Sequence, residues 1–132
     1  MQTFQTFTTL RKAILDGTIC FGKDTFIVTL HGTGFSLNLD ASSLSALSGQ
    51  VASGTVTFTT STTGGVGKVS CGTLSITSAT AVEGEYAVIS KNGYGNGISN
   101  PLVGVLDLGG TVALEAGGTL TMAFPSGLLN LA

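Results

Sequence analysis

The first sixteen residues carry the helical pattern of the chain. Apolar side chains recur there at spacings of three, three and four, at Phe4, Phe7, Leu10 and Ile14. Such spacing lines one face of an α-helix. Thr3 is a suitable N-cap, and Gly17 is a residue of the kind on which helices commonly stop. The pattern therefore predicts an α-helix over residues 4–16.

After Gly17 apolar and polar residues alternate, which is the pattern of strands buried on one face. Segments 24–31, 35–39 and 55–60 show it. The inward positions we assign to them are Phe26, Val28, Leu30, Phe35, Leu37, Leu39, Val56 and Phe58. The threonines between them are expected to face water, because a β-branched side chain fits a pleated surface while its hydroxyl stays solvated.

The rest of the chain continues as strands separated by turn residues. The predicted strands are 68–77, 85–91, 101–108, 110–116, 118–124 and 127–131. A slip in spacing at Gly72 predicts a β-bulge, and apolar residues on both faces of 101–108 predict a central or covered strand. Turn signals about every 8 to 12 residues are typical of a sandwich or barrel. We predict one mainly β domain over residues 1–132, an antiparallel β-sandwich (jelly-roll-like or Ig-like) of about eight strands with a short N-terminal α-helix.

Two segments are predicted to be loops. Residues 40–50 are rich in serine and have room for one helical turn, with Asp40 or Ser42 as its cap. Residues 92–101 combine glycine and asparagine around Tyr94, and both residue types tolerate positive φ. We expect an irregular excursion there rather than a tight hairpin.

Charge is scarce, at 9 % of the residues against a usual share of about 25 %. The five lysines and arginines are spread along the chain, so nucleic acid is not an expected partner. No apolar run approaches the ~20 residues of a spanning helix, so no membrane partner is expected either. The N-terminal segment lacks the order of a secretory signal, which predicts folding in the cytoplasm. Cys20 and Cys71 are then expected to be reduced and buried, with a disulfide between them as the alternative.

Few residues could carry a reaction. His31, the only histidine, is either a strand-end residue at a turn or a general base. Glu83 and Glu85 are either solvent charges at the start of a strand or part of a calcium site. Residues 64–70 superficially resemble a phosphate-binding loop, but they lack its spacer and lead into a strand. We predict no catalytic residue, no metal and no cofactor.

Tyr94 is the candidate contact residue of the chain. It is either tucked onto its own sheet or anchors a contact with another subunit, because interfaces favour tyrosine. Asn92 and Asn96 flank it in the same segment. We predict Asn92, Tyr94 and Asn96 as assembly contacts.

Serine, threonine, glycine and asparagine take the surface places that charges usually hold. Hydroxyls can pair again across an interface, and no ion has to lose its water, so such a surface costs little to desolvate. This composition favours a subunit of a permanent assembly, including an assembly of identical copies.

The order of the segments resembles small virion structural proteins encoded among the head and tail genes of tailed phages. The resemblance is carried by "LRKAILDG" (10–17), "TFIVTLHGTGF" (25–35), "YAVISKNG" (86–93), "SNPLVGVLDLGGTVALEAGGTLTMAF" (99–124) and "GLLNL" (127–131). The low charge and the segment "SGTVTFTTSTTGGVGK" (53–68) depart from the pattern. The resemblance implies a non-enzymatic capsid decoration (cement) protein. It would assemble in the host cytoplasm and bind the major capsid protein on the capsid exterior, as a homo-oligomer and often as a trimer.

Three alternatives stand beside this hypothesis. A tail, head-to-tail or fibre-attachment component is the nearest, since it belongs to the same group of virion proteins. A receptor- or carbohydrate-binding module would need an exposed aromatic platform, for which Tyr94 is the candidate. An enzyme would need His31 as its base.

Overall fold

A computed structural model describes residues 3–32, 35–56, 58–70, 73–123 and 129–131. Within these ranges the chain forms twelve strands, one α-helix and one 3₁₀ helix. The helices are α1 (Leu10–Leu15) and η1 (Leu44–Ala46). The strands are β1 (Thr3–Thr6), β2 (Phe26–His31), β3 (Gln50–Val56), β4 (Thr59–Thr63), β5 (Val66–Ser70), β6 (Thr73–Thr77), β7 (Val82–Lys91), β8 (Tyr94–Gly95), β9 (Ile98–Ser99), β10 (Leu102–Leu114), β11 (Thr119–Ala123) and β12 (Leu129–Leu131).

A seven-stranded antiparallel sheet forms the body of the molecule, in the order β1-β10-β7-β2-β3-β6-β11. A three-stranded sheet, β12-β5-β4, packs on it in a sandwich-like way, because Val69 of β5 belongs to the main core. The predicted mainly β, antiparallel fold with a short helix near the N-terminus is confirmed. The described residues hold twelve strands rather than about eight, since β1, β8 and β9 were not predicted as strands and segments 55–60 and 68–77 are each divided between two strands.

The N-terminal helix is shorter than predicted, because residues 4–9 are not part of it. Thr3–Thr6 instead form β1, which pairs with β10. Frequent threonine favours a strand, and backbone pairing to β10 outweighs the weak helix propensity of so short a segment. The N-cap is Thr9 rather than Thr3, and α1 ends before Gly17, whose φ of 79° agrees with the predicted stop.

One face of the large sheet carries the main core. The inward residues predicted for β2 are fully buried there: Phe26, Val28 and Leu30. The ring of Phe26 stacks on Phe21 at a centroid distance of 5.4 Å and meets the edge of Phe58 at 4.9 Å. The helix α1 joins the same core through Leu10 and Ala13. The apolar face predicted for the N-terminal helix therefore packs on the core, but only within the shorter helix α1.

The opposite face of the sheet is covered at its centre by residues 35–47. The predicted strand over 35–39 is wrong, since these residues join no sheet. Their inward side chains pack half-buried on this face as predicted: Phe35, Leu37 and Leu39. A segment that lies across a sheet also packs alternate side chains downward, so alternation alone does not distinguish it from a paired strand. Thr29 is fully buried beneath this cover, unlike the threonines that face water.

The predicted loop over 40–50 contains the single helical turn η1. Its cap is Ser43, whose hydroxyl accepts from the backbone N–H of Ser45, rather than Asp40 or Ser42. The turn lies within the cover of the second face, because Leu44 is buried in the core there.

The second predicted loop, over 92–101, forms the tight hairpin β8–β9, so the expected irregular excursion is wrong. Asn96 and Gly97 occupy its turn with φ of 49° and 81°, the positive values expected of these residue types. An Asn-Gly pair with both residues in this region is the preferred two-residue link between antiparallel strands.

Several predicted strands have different limits in the structure. The segment 68–77 is divided between β5, which ends at Ser70, and β6, which begins at Thr73, and these two strands belong to different sheets. The segment 55–60 is divided, with β3 ending and β4 beginning on either side of 57–58. Segments 101–108 and 110–116 contribute to the single strand β10, whose register with β7 shifts between Asp107 and Val112, where Gly109 and Gly110 adopt positive φ. The expected central position of 101–108 is confirmed, because β10 lies between β1 and β7. The bulge expected at Gly72 lies outside the described residues.

Replacing Phe26 tests the main core. We expect Phe26→Ala to lower the free energy of unfolding by about 3–5 kcal/mol, because it leaves a cavity where three rings meet. Urea denaturation measures the change. Tyr94→Ala, at a position 74 % exposed, is the matched control and should change stability by less than about 0.5 kcal/mol. Equal losses in the two variants would contradict this picture of the core.

Candidate interaction site

The hairpin β8–β9 projects between β7 and β10 and carries the three predicted contact residues on or beside it. Tyr94 pairs with Ser99 and Gly95 with Ile98, so the hairpin has two residue pairs and a two-residue turn. An isolated hairpin of this size is unstable in water. Its conformation must therefore be fixed by contacts with the rest of the domain.

The tip of the hairpin is fastened to the turn that follows α1. The Asn96 side-chain amide donates to the Thr18 hydroxyl oxygen at 2.8 Å and to the Asp16 carbonyl oxygen at 3.3 Å. The backbone of Gly95 lies so close to the Thr18 carbonyl that an added Cβ would collide with it. Glycine is therefore required there by close packing rather than by a positive φ.

A partly buried ion pair reinforces the same attachment. The Lys91 ammonium lies 3.2 Å from an Asp24 carboxylate oxygen and donates to the Thr18 carbonyl oxygen at 3.1 Å. Both side chains of the pair are mostly shielded from solvent. The same Asp24 oxygen accepts the backbone N–H of Cys20 at 2.8 Å, which links the pair to the turn after α1.

The base of the hairpin is closed by its own hydrogen bonds and is also bonded to the residue that precedes η1. The Asn100 side-chain oxygen accepts the Gly93 N–H at 2.8 Å, and the Asn100 N–H donates to the Gly93 carbonyl at 2.8 Å. The Ser43 hydroxyl donates to the Ser99 carbonyl at 2.6 Å. The hairpin is thus held from both the α1 side and the η1 side, so it is ordered before any partner arrives.

Tyr94 carries the large exposed side chain of this hairpin. Its side chain is 74 % exposed, so it is not tucked onto its own sheet. Asn92 is also exposed, and its backbone N–H donates to the Thr25 carbonyl at 3.0 Å. The side chain of Asn96 is hydrogen-bonded within the chain, to Asp16 and Thr18. Contact of all three with another subunit stays a prediction.

The end of α1 carries an exposed apolar residue that the sequence pattern did not single out. Leu15 is 88 % exposed. Leu15 does not lie on the apolar helix face formed by Leu10 and Ile14. A leucine outside that face is the sequence signal from which its exposure could have been predicted. Next to Leu15, hydrogen bonds from Thr18 and then Lys12 lower the pKa of Asp16 to about 2.

A cavity of about 170 Å³ lies between α1 and the hairpin. Its lining includes Ala13 from the helix, Ile98 and Pro101 from the hairpin region, and Leu102 at the start of β10. Apolar groups dominate this lining, and Ser42 borders it from the loop before η1. The cavity therefore suits an aliphatic group better than a charged one.

His31 lies at the end of β2, where the strand-end interpretation placed it. The side chain is fully buried and its ring lies 4.7 Å from that of Phe35. Its Nδ1 lies 2.8 Å from the Ser48 carbonyl oxygen, and its Nε2 lies 2.9 Å from the Thr29 hydroxyl. Burial lowers the pKa of His31, and the hydrogen bond to Ser48 opposes that shift. Both ring nitrogens are engaged within the protein.

The other predicted groups are dispersed. Glu85 accepts a hydrogen bond from the Thr111 hydroxyl at 3.1 Å. Across the described ranges no three histidine, cysteine or acidic side chains come together as metal ligands. Cys20 is exposed, so its expected burial is wrong, and Cys71 lies outside the described residues. Residues 64–70 form the β4–β5 turn and the whole of β5, so the segment leads into a strand as predicted.

Comparison with known proteins finds no family model that matches this chain, no similar curated protein and no similar solved structure. Among the described residues, no helix has the length and apolar character needed to cross a bilayer.

Removing the Asn96 amide tests how the hairpin is fastened. Asn96→Gly keeps the positive φ of the turn and deletes only the hydrogen bonds to Thr18 and Asp16. We expect about 1 kcal/mol lower stability and faster hydrogen exchange of the Asn100 amide. The exposed Asn92→Ala is the control and should leave that exchange unchanged. Unaltered exchange in Asn96→Gly would show that the tip is held by other contacts.

The buried His31 predicts a pH dependence of stability. Its folded pKa is lowered, so the unfolded chain binds more protons below its ordinary value of about 6.5. Stability should be complete above that value and be lost as the pH falls through the folded pKa. Thermal unfolding from about pH 7.5 to pH 5 measures this, because His31 is the only histidine. His31→Gln should unfold at a lower temperature than the wild type at about pH 7.5, but its unfolding temperature should not change between about pH 7.5 and pH 5. A variant whose unfolding temperature falls with pH as steeply as that of the wild type would refute the assignment to His31.

Proposed function

We propose that this chain is a non-enzymatic structural subunit of a tailed-phage particle, a capsid decoration protein that binds the assembled shell of the major capsid protein. The phage assignment rests on the resemblance of its segment order. The observation that supports a binding role is the fastened hairpin, which presents Tyr94 with 74 % of its side chain exposed. Tyrosine is enriched at protein interfaces because its ring supplies contact area and its hydroxyl keeps a polar partner.

The fastening contacts reduce the cost of binding. A free loop would lose conformational entropy on docking, at roughly 1–2 kcal/mol for each residue fixed. The hydrogen bonds of Asn96 and Asn100 already fix this hairpin in the unbound chain. A single exposed aromatic side chain can therefore contribute more of its contact energy to affinity.

An uncharged sheet face supports membership in an assembly. It lies on β3, β6 and β11, on the side away from the main core, and its residues are exposed: Val51, Ser53, Thr55, Ser75, Thr77, Thr119 and Thr121. The hydroxyls of Thr77 and Thr119 lie 3.0 Å apart and satisfy each other. Covering this face removes no ion from water, so neighbouring subunits can lie against it at small electrostatic cost.

Binding to particles tests the proposal. Purified mature heads that lack the protein are mixed with the chain, and bound copies are counted after sedimentation and located by electron microscopy. We expect wild-type binding to the head exterior and at least a roughly 10-fold weaker affinity for Tyr94→Ala, the loss typical of an interface anchor. Ser61→Ala, at an exposed position of β4 outside both the hairpin and the uncharged sheet face, is the control and should bind as the wild type does.

Other outcomes would replace the proposal. Copies found only on tails would make the chain a tail or head-to-tail component. Binding to a glycan array that is lost in Tyr94→Ala would favour a carbohydrate-binding module, for which the exposed ring is the supporting observation. Heads that bind no copies would refute the decoration role.

A further inference from the structure

Leu15 is an unusual surface residue. It ends the short helix α1, which turns Leu10 and Ala13 into the main core, and yet 88 % of the Leu15 side chain is exposed. Single exposed apolar residues are common on proteins. This one lies on the same helix, caps included, as four residues that line a mainly apolar cavity, and two of those four, Lys12 and Asp16, are a pair of opposite charges. The exposed leucine, the cavity and the charges together define a complementary surface.

The cavity beside α1 has the size and chemistry for such a side chain. Its volume of about 170 Å³ exceeds that of a leucine side chain. Most of its exposed wall is apolar and includes Ala13, Ile98 and Leu102, while the lining also contains Thr9, Lys12, Asp16, Thr18 and Ser42. Leu15 and the cavity lie on neighbouring sides of the same six-residue helix. Because Leu15 points away from the fold, it cannot fill the cavity of its own chain.

The charges of α1 in one copy are complementary to those of α1 in a second copy related by a two-fold axis. The Lys12 ammonium lies 3.1 Å from an Asp16 carboxylate oxygen, with 85 % of the lysine side chain exposed. When two such helices lie antiparallel, Lys12 of each faces Asp16 of the other. An exposed pair within one helix contributes little energy, so exchanging partners across an interface costs little.

We propose that two copies of this chain pair through α1 about a two-fold axis, with Leu15 of each copy inserted into the cavity beside α1 of its partner. In a two-fold interface the same patch serves both subunits, so a projecting group and its pocket must lie close together on one surface. Leu15 and the cavity satisfy this condition. The pairing goes beyond the proposed function and does not require a phage particle.

A second copy fits this surface better than an unrelated protein does. The surface carries a projecting apolar side chain, Leu15, and a mainly apolar recess. It also carries one positive and one negative charge, so two copies of the same surface are complementary both in shape and in charge. The hairpin borders the cavity through Ile98 and stays ordered by its own fastening, which keeps the recess open in the free chain.

Sedimentation velocity of the full chain over a wide range of concentration tests the pairing. We expect a monomer–dimer equilibrium for the wild type. Leu15→Asp should raise the dissociation constant at least about 100-fold, because it replaces an apolar side chain with a carboxylate in two copies of a mainly apolar recess. Ser61→Asp places the same charge at an exposed position of β4, outside α1 and the uncharged sheet face, and should leave the dimer unchanged.

A second variant tests the recess rather than the projection. Ser42→Leu adds an aliphatic side chain at the border of the cavity from an exposed position outside α1. We expect it to weaken the dimer while the thermal unfolding of the monomer stays as in the wild type. A wild type that remains monomeric, a trimer, or a dimer that neither Leu15→Asp nor Ser42→Leu weakens would overturn the pairing. Head binding is measured separately, and its failure would leave the dimer result standing.

Discussion

The structure depends on burying both faces of the centre of the large sheet. Four consecutive residues of β7, Ala87–Ser90, are fully buried, so neither face of that strand meets water. Burying an apolar face stabilises the fold by roughly 25 cal/mol for each Å² removed from water, and this free energy is lost if the face is left exposed. The chain therefore has to supply two covers. The helix α1 and the Phe21–Phe58 ring contact provide one, and residues 35–47 provide the other.

The two covers also fix the hairpin. It leaves the sheet after β7 and returns to it as β10, and it is bonded to the first cover through Thr18 and to the second through Ser43. The tyrosine that the hairpin presents is therefore oriented by the same burial that stabilises the core. A change in either cover would alter the position of Tyr94 before it altered the sheet itself, because the hairpin has only two residue pairs of its own.

The sequence pattern correctly predicted those strands whose apolar side chains are buried in the core. The alternation at Phe26, Val28 and Leu30 identified a core strand, and the apolar run at 101–108 identified a central one. It misplaced residues 4–9 and 35–39, where the choice between helix, strand and covering segment is made by partners distant in sequence. The exposure of Tyr94 agreed with one of the two alternatives left open for it. Leu15 and the fastening of Asn96 were missed, since each depends on which elements meet in three dimensions.

The two proposed contacts lie on elements that are bonded to each other, which gives them a common consequence. The amide of Asn96 joins the hairpin to the turn directly after Leu15, at the Asp16 carbonyl. A dimer formed through α1 would hold two hairpins in a fixed relation, each with its own tyrosine. On a shell with repeated sites, binding of the second hairpin then becomes intramolecular, and overall affinity can exceed that of one hairpin by about 10²–10⁴ without any new contact. A small hairpin with one exposed ring is an adequate anchor when the shell repeats its sites at a distance the dimer can span.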